Sequence, residues 1–302
     1  MASTRQSIVR GPGTVTFNGV KIHDSSGITA DIESSTQEIP SSVAGTLDTI
    51  KTDQTGKISL TPVGNVSKAL LDLFFPAWMK KPVFGTSIMG VSDMPLVVSS
   101  RAGTKVTFSC AGLTKCPELS LSPVKTVFGG VEFTAVVGNG KLPGDSGAFY
   151  TVASAEYDGG EPPRDGLSGH HYSALFGDLE IPDTLDGWTV TPELQLEPVS
   201  SDSQGTIDYT LSGVTVRASC TPLGLSEADI LAALPVGKGR GASLASDSDL
   251  VIASAGGLTV TLKNAAIVTG PIQWGASQLR AGQIGFVANI GEDGTLFDVS
   301  LA

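Results

Sequence analysis

The sequence predicts a mainly β protein made of two tandem copies of a β-sandwich unit, each with one flanking α-helix and a long hairpin. Three observations carry this. The chain of 302 residues holds 37 Gly and 17 Pro, scattered without a three-residue period, which punctuates it too often for long helices and excludes collagen. Most segments between those residues are short and β-branched or alternating. The order of landmarks also repeats along nearly the whole chain.

The repetition begins with Phe17, Ile22 and Asp24, which match Phe176, Ile181 and Asp183 at an offset of 159. Gly27, Ile28 and Thr29 match Gly187, Trp188 and Thr189 at 160. Thr61-Pro62-Val63-Gly64 returns as Thr221-Pro222-Leu223-Gly224, and the VSKALLDLFFP that follows returns as LSEADILAALP. Further on, Leu96, Gly103 and Val106 reappear as Leu250, Gly257 and Val260 at 154, and Phe133 and Ala135 as Phe286 and Ala288 at 153. Single-residue gaps and one shortened loop account for the drift. The first unit is placed at residues 1–155, with an N-terminal arm at 1–13, and the second at 170–302. Between them 156–169, EYDGGEPPRDGLSG, combines Gly, Pro and acid without an apolar period, as a linker does.

Within the first unit the predicted strands are 14–17, 27–32, 57–60, 96–98, 105–108 and 131–137. The one helix of each unit has Ser67 or Ser226 where an N-cap belongs and is stopped by Pro76 or Pro235. Its apolar face is Ala69, Leu70, Leu73 and Phe74 in the first copy, and Ala228, Leu231 and Leu234 in the second. A single helix per β-rich unit is expected to pack on the flank of two sheets.

Composition narrows the function classes. With 19 basic and 30 acidic residues the net charge is −11, which disfavours general attraction to nucleic acid or to an anionic membrane. Charged residues make up 16% and hydrophobic ones 40%, too apolar a balance for intrinsic disorder. No segment approaches the roughly 20 apolar residues of a membrane-spanning helix. The N-terminus has no apolar stretch of a signal peptide, so production without Sec export is expected. The three cysteines, Cys110, Cys116 and Cys220, are too few for a disulfide framework; reduced, packed thiols are favoured over a Cys110–Cys116 bridge.

Motifs that imitate chemistry are weak here. Gly144-Asp145-Ser146-Gly147 resembles the nucleophile segment of chymotrypsin-like proteases, but it lacks a matching histidine motif and reads as a turn. Adjacent His170 and His171 point to opposite faces of a strand and cannot share a metal without distortion. Gly237-Lys238-Gly239-Arg240-Gly241 lacks the Lys-Ser/Thr of a phosphate-binding P-loop. No catalytic residue, cofactor or metal site is expected, and the chain does not read as an enzyme. Lys80 and Lys81, like Lys238 and Arg240, place two cations just past the helix, where they suit the helix C-terminus or an ion pair between subunits.

The hairpins carry more. Residues 28–61 contain Asp31, Glu33, Glu38, Asp48 and Asp53 against Lys51 and Lys57, and residues 188–221 contain Glu193, Glu197, Asp202 and Asp208 against Arg217. Each balance is −3, although the halves differ widely in total charge: residues 1–155 hold 13 basic and 11 acidic side chains, residues 156–302 hold 6 and 19. Charge alone fits a solvated hairpin face.

At this point the sequence resembles the major tail tube proteins of long-tailed bacteriophages. The features are Gly11-Pro12-Gly13 followed by the strand at 14–17, the Gly27 strand, a long hairpin with an acidic Ser/Thr-rich middle, the strand ending in Thr61-Pro62-Val63-Gly64, and the helix running to Pro76. The resemblance implies a β-sandwich with a flanking helix, six such domains to a ring, long hairpins forming a continuous inner barrel, and rings stacked into a tube. A duplicated chain then implies homotrimeric, pseudo-hexameric rings. It also implies an acidic lumen lined by the nine carboxylates above, passage of double-stranded DNA without specific binding, and contacts with tail terminator, tape measure and distal tail proteins. The expected location is the virion tail, assembled in the host bacterial cytoplasm. The 77–95 loop is expected to reach neighbouring rings. The competing reading is a tandem β-sandwich binding or adhesion protein, or a virion surface decoration protein.

Overall fold

The computed structural model describes residues 13–302 except 26, 44, 65, 91–93, 123–125, 139, 143, 158–170, 236, 271 and 275–278; at 126, 127, 227, 230, 272–274 and 279–281 it describes the backbone alone. Residues 11 and 12, His170, most of the arm at 1–13 and all but two positions of the linker at 156–169 therefore lie outside the described residues.

The protein is mainly β, with antiparallel sheets and, among the described residues, three short helices. In chain order, β1 (Gly13–Phe17) and β2 (Val20–Asp24) lead to the long pair β3 (Thr29–Ser41) and β4 (Gly45–Leu60). Then come β5 (Pro62–Val63), α1 (Lys68–Phe74), α2 (Ala77–Lys80), β6 (Leu96–Ser100), β7 (Thr104–Phe108) and β8 (Cys110–Lys115). They are followed by β9 (Leu119–Leu121), β10 (Thr126–Phe128), β11 (Val131–Val136) and β12 (Tyr150–Ser154). The second half holds β13 (Tyr172–Phe176), β14 (Leu179–Ile181), the long pair β15 (Asp183–Ser201) and β16 (Gly205–Leu223), and α3 (Glu227–Ala233). It ends with β17 (Leu250–Ser254), β18 (Leu258–Leu262), β19 (Ala266–Thr269), β20 (Ile272–Trp274), β21 (Leu279–Ala281), β22 (Ile284–Val287) and β23 (Phe297–Leu301).

The strand orders of the halves run in parallel. One sheet of the first half is β12-β7-β6-β1-β2-β5, and one of the second is β14-β13-β17-β18-β23. Phe17 pairs with Leu96 and Val98 with Val106; Phe176 pairs with Leu250 and Ile252 with Val260. The other sheets are β3-β4-β11-β8 and β10-β9-β15-β16-β22-β19, with Ile58 opposite Phe133 and Ala218 opposite Phe286. The two sheets of each half face one another through an aromatic pair, Phe17 with Phe133 at 4.9 Å and Phe176 with Phe286 at 5.4 Å. Each such pair contributes about 1 kcal/mol beyond its burial.

The halves are joined by hydrogen bonds as well as by sequence. β8 pairs with β11 in the first half, and the chain then runs on as β9 to pair with β15 in the second. One buried apolar cluster accordingly extends through both halves, from Val15, Ile58 and Phe133 to Trp188, Ile252 and Phe286. Phe75 and Phe297 meet edge to face across it at 6.0 Å.

Local chemistry explains the elements. Ser67 Oγ accepts from Leu70 N at the start of α1, and Ser226 exchanges hydrogen bonds with Asp229 in a capping box at α3. Asn18 and Gly19, both at positive φ, form the two-residue turn between β1 and β2. Pro76 stops α1, and its carbonyl then accepts from Met79 N and Lys80 N, so it also starts α2, which the sequence reading lacked. Met79 is buried there, with Cys116 Sγ 3.3 Å from its sulfur. All three cysteines are buried thiols. Burial pushes the thiol of Cys116 well up and that of Cys220 up to about 12, so both remain inert.

The hairpin strands exceed the stretches 27–32 and 57–60 read from sequence. Every residue from 29 to 40 is exposed, so these outer parts lack the buried alternation by which strands are recognised.

Candidate functional site

The two long hairpins form the candidate site. Their tips turn at Gly45 (φ +77) and Gly205 (φ +74), 160 residues apart. In the first, Gly56, Ile58 and Leu60 mark the core face of β4, and Ala30 and Ile32 share it by register. Asp31 and Glu33 therefore lie on the opposite face with their partners Lys57 and Thr55. Asp53, opposite Ser35, joins them. A bulge between Ser35 and Thr36 then shifts β4 by one residue, which brings Asp48, opposite Ile39, to that same face and leaves Glu38 on the other.

The second hairpin repeats the arrangement. Trp188, Val190 and Val216 face the core, and Glu193 and Glu197 face away. Asp208, opposite Val199, is on their side because β16 is bulged near Leu211. Glu193 and Asp208 thus occupy the places of Glu33 and Asp48, and Val199 that of Ile39. Asp48 and Asp208 even make the same local bond, each accepting the following backbone N–H at 2.7 Å. Asp202 sits in the tip turn.

Several of these acids have partners within the chain. Arg217 Nη1 lies 3.3 Å from Glu193 Oε2, and Thr46 Oγ1 donates to Glu38. Asp53 does most: it receives Thr206 N at 2.8 Å on Oδ1 and Thr206 Oγ1 at 2.7 Å on Oδ2, fastening the tip of the second hairpin to the first. Burial opposes its ionisation, but the Thr206 and Gln54 hydrogen bonds and the Lys51 charge outweigh it and hold the carboxyl below its ordinary value.

The sequence reading missed a cover on the second hairpin. Segment 83–90 lies along β16: Gly85 N donates to Leu211 O, Leu211 N to Thr86 O and Ile88 N to Tyr209 O. Met89 N donates to Asp208 Oδ1 at 3.3 Å. Met89, Cys110 and Val136 form a second small core on which Tyr209 packs. This part of the 77–95 loop, expected to reach other rings, has its backbone engaged within the chain. The only hint in the sequence is the mixture of Val83, Phe84, Ile88 and Met89 with turn residues.

The cations separate. Lys80 Nζ donates to Val299 O at 2.9 Å and lies 3.0 Å from Asp298 Oδ1, while its carbonyl accepts from Leu296 N, so it docks α2 on β23 of its own chain. Lys81 contributes to holding the Asp293 carboxyl low, after the Thr295 hydrogen bonds and Lys263. Lys238 Nζ donates to Ser243 O, and Arg240 is exposed at the Gly239–Ala242 turn. The segment 144–147 is a turn in which Ala148 N donates to Asp145 O. His171 Nε2 lies 3.4 Å from Asp183 Oδ1. Burial, then the Lys21 charge, hold His23 below its ordinary value. Among the described residues no three His, Cys, Asp or Glu side chains are placed to hold a metal ion, and no helix is long and apolar enough to cross a membrane.

No protein-family model matches the chain, and no curated protein matches it.

Proposed function

We propose that the chain is a structural virion protein, the major tube subunit of a bacteriophage-like tail. Its two units, residues 1–155 and 170–302 with the linker 156–169, are read as copies of one domain that occupy successive places in a ring. Three chains make a pseudo-hexameric ring, and rings stack into a tube whose acidic lumen conducts double-stranded DNA. The observation that carries this reading is the pair of long hairpins, which set acids at equivalent places on the face turned away from the core.

The physics favours that placement. A 13-residue strand with 12 exposed residues and an edge left open among the described residues invites edge-to-edge pairing, and a closed ring removes such edges. The first hairpin also exposes Ile32, Val43, Leu47 and Ile50, which packing between subunits would cover. A conduit must not bind its cargo: cationic contacts to phosphate add affinity, whereas carboxylates repel the backbone. Tail terminator, tape measure and distal tail proteins are the partners this role requires, and the tail of the virion, assembled in the host cytoplasm, is its place. The role needs neither a catalytic group nor a cofactor.

Negative-stain electron microscopy of concentrated protein, with mass determination of the soluble form, tests the reading. Tubes of stacked rings with three chains per ring are expected. A monomer that persists at high concentration overturns the proposal in favour of a tandem β-sandwich binding or decoration protein.

A further inference from the structure

Among the described residues the chain leaves a strand edge open at one end and carries at the other a hairpin equivalent to the one that covers the matching edge. In the second half β15 takes β9 along its edge, with Trp188 opposite Leu121, Thr189 opposite Ser120 and Val190 opposite Leu119. β9 belongs to the hairpin β9–β10, which pairs Leu119 with Phe128 and Leu121 with Thr126. The same hairpin recurs 153 residues later as β20–β21, pairing Ile272 with Ala281 and Trp274 with Leu279. Among the described strands β20 has β21 as its one neighbour, and β3, the counterpart of β15, has β4 as its one neighbour.

Two local features mark β3 as built for a partner like β9. Gly187 (φ +86) lies where β9 crosses, and a Cβ there would sit 2.2 Å from Leu121 O and 2.9 Å from Ser122 Cα, so the close approach requires glycine. Gly27 (φ +111), its equivalent, faces open space, with nothing described within 4 Å of its Cβ position. Burial differs in the same sense. Trp188 and Val190 are 1% and 2% exposed beside β9, whereas their counterparts Ile28 and Ala30 are half-buried and exposed.

We infer that β20 of one copy adds antiparallel to the edge of β3 of the next, with Ile28 opposite Trp274, Thr29 opposite Gln273 and Ala30 opposite Ile272. The occupant is a second copy because β3 and β20 terminate opposite ends of one run of strands: β3-β4-β11-β8, continued through β9 to β15-β16-β22-β19 and then β20. The contact is heterologous, head to tail, so it propagates from chain to chain and closes into a ring when the rotation allows. It deepens the tube reading, on which it rests for the association of copies, by naming the strands and the register.

Cysteine cross-linking tests it, since the native cysteines are buried. Chains with Thr29→Cys are mixed with chains with Gln273→Cys and oxidised at assembly concentration; Ala30→Cys with Ile272→Cys provides the neighbouring pair. In an antiparallel ladder one of two consecutive pairs falls at the site where side chains approach closest. At least one mixture is expected to give a disulfide-linked dimer on non-reducing electrophoresis, and no single variant alone. Cross-linking of Thr29→Cys chains to each other overturns the inference, because β3 then meets β3. Assembly without cross-links at either register also overturns it and leaves the tube reading standing. Chains that stay monomeric by sedimentation, uncross-linked, overturn both.

Discussion

Asp53 shows how one side chain joins positions that the sequence keeps far apart. As an acid in a hairpin it was legible; its attachment to Thr206 was not, because the partner lies 153 residues away and nothing local marks it. Removing the charge by Asp53→Asn leaves Thr206 with a weaker acceptor and is expected to cost about 1–2 kcal/mol at pH 7 in urea denaturation. The pH dependence follows from the lowered carboxyl. The folded chain binds that proton less readily than the unfolded one, so the stabilisation is complete above the ordinary carboxylate value and is lost as pH falls through the lowered one. The gap between wild type and Asp53→Asn should therefore narrow from pH 7 towards pH 3. A gap that does not change with pH would remove the carboxylate from this role. Gly187 is a second case: as a landmark it was plain from the sequence, while the reason for glycine, the passage of Leu121 O over its Cα, needs the fold.

At the scale of elements, legibility followed burial. α1 and α3, with serine caps and proline stops, stand where the sequence puts them, and so do the core-facing strands around Val15, Val98 and Phe133. The long hairpins were expected, but the outer extent of their strands and the 83–90 cover escaped because neither has an apolar period of its own; each takes its conformation from backbone hydrogen bonds to a neighbour. That cover is open to a direct test. Ile88→Pro removes the donor to Tyr209 O and buried apolar contacts, while Ile88→Val trims a single methylene from a site 4% exposed. The valine variant is expected to lose about 1 kcal/mol and the proline variant about 2–3 kcal/mol. Hydrogen exchange separates them: the Leu211 amide, which donates to Thr86 O, should exchange much faster in Ile88→Pro and near the wild-type rate in Ile88→Val. Equal protection in both would mean that β16 does not depend on this strap.

For the whole molecule the proposed tube raises the question of what a net charge of −11 would do as copies gather around a passage. Self-repulsion opposes assembly, so acids concentrated at a lumen need a compensating function. Glu33 and Glu197 isolate that function best. Both are exposed on the outward face of their hairpins, and neither carboxylate has an ion pair or hydrogen bond among the described residues, unlike Glu193 with Arg217 or Asp53 with Thr206. Reversing them together, Glu33→Lys with Glu197→Lys, should change the stability of the subunit by less than about 0.5 kcal/mol, as surface substitutions away from special contacts do. Tubes should still form. DNA should move differently, because each new ammonium offers a phosphate contact and the duplex presents a charge roughly every 1.7 Å along its axis. Particles bearing the double variant are expected to eject DNA more slowly than wild type at low ionic strength. The difference should shrink as salt is raised and the screening length falls from about 10 Å at 0.1 M towards about 3 Å at 1 M. Ejection that is unchanged at every salt concentration, from tubes of normal length, would take these carboxylates off the DNA path and leave them as solvated hairpin charges.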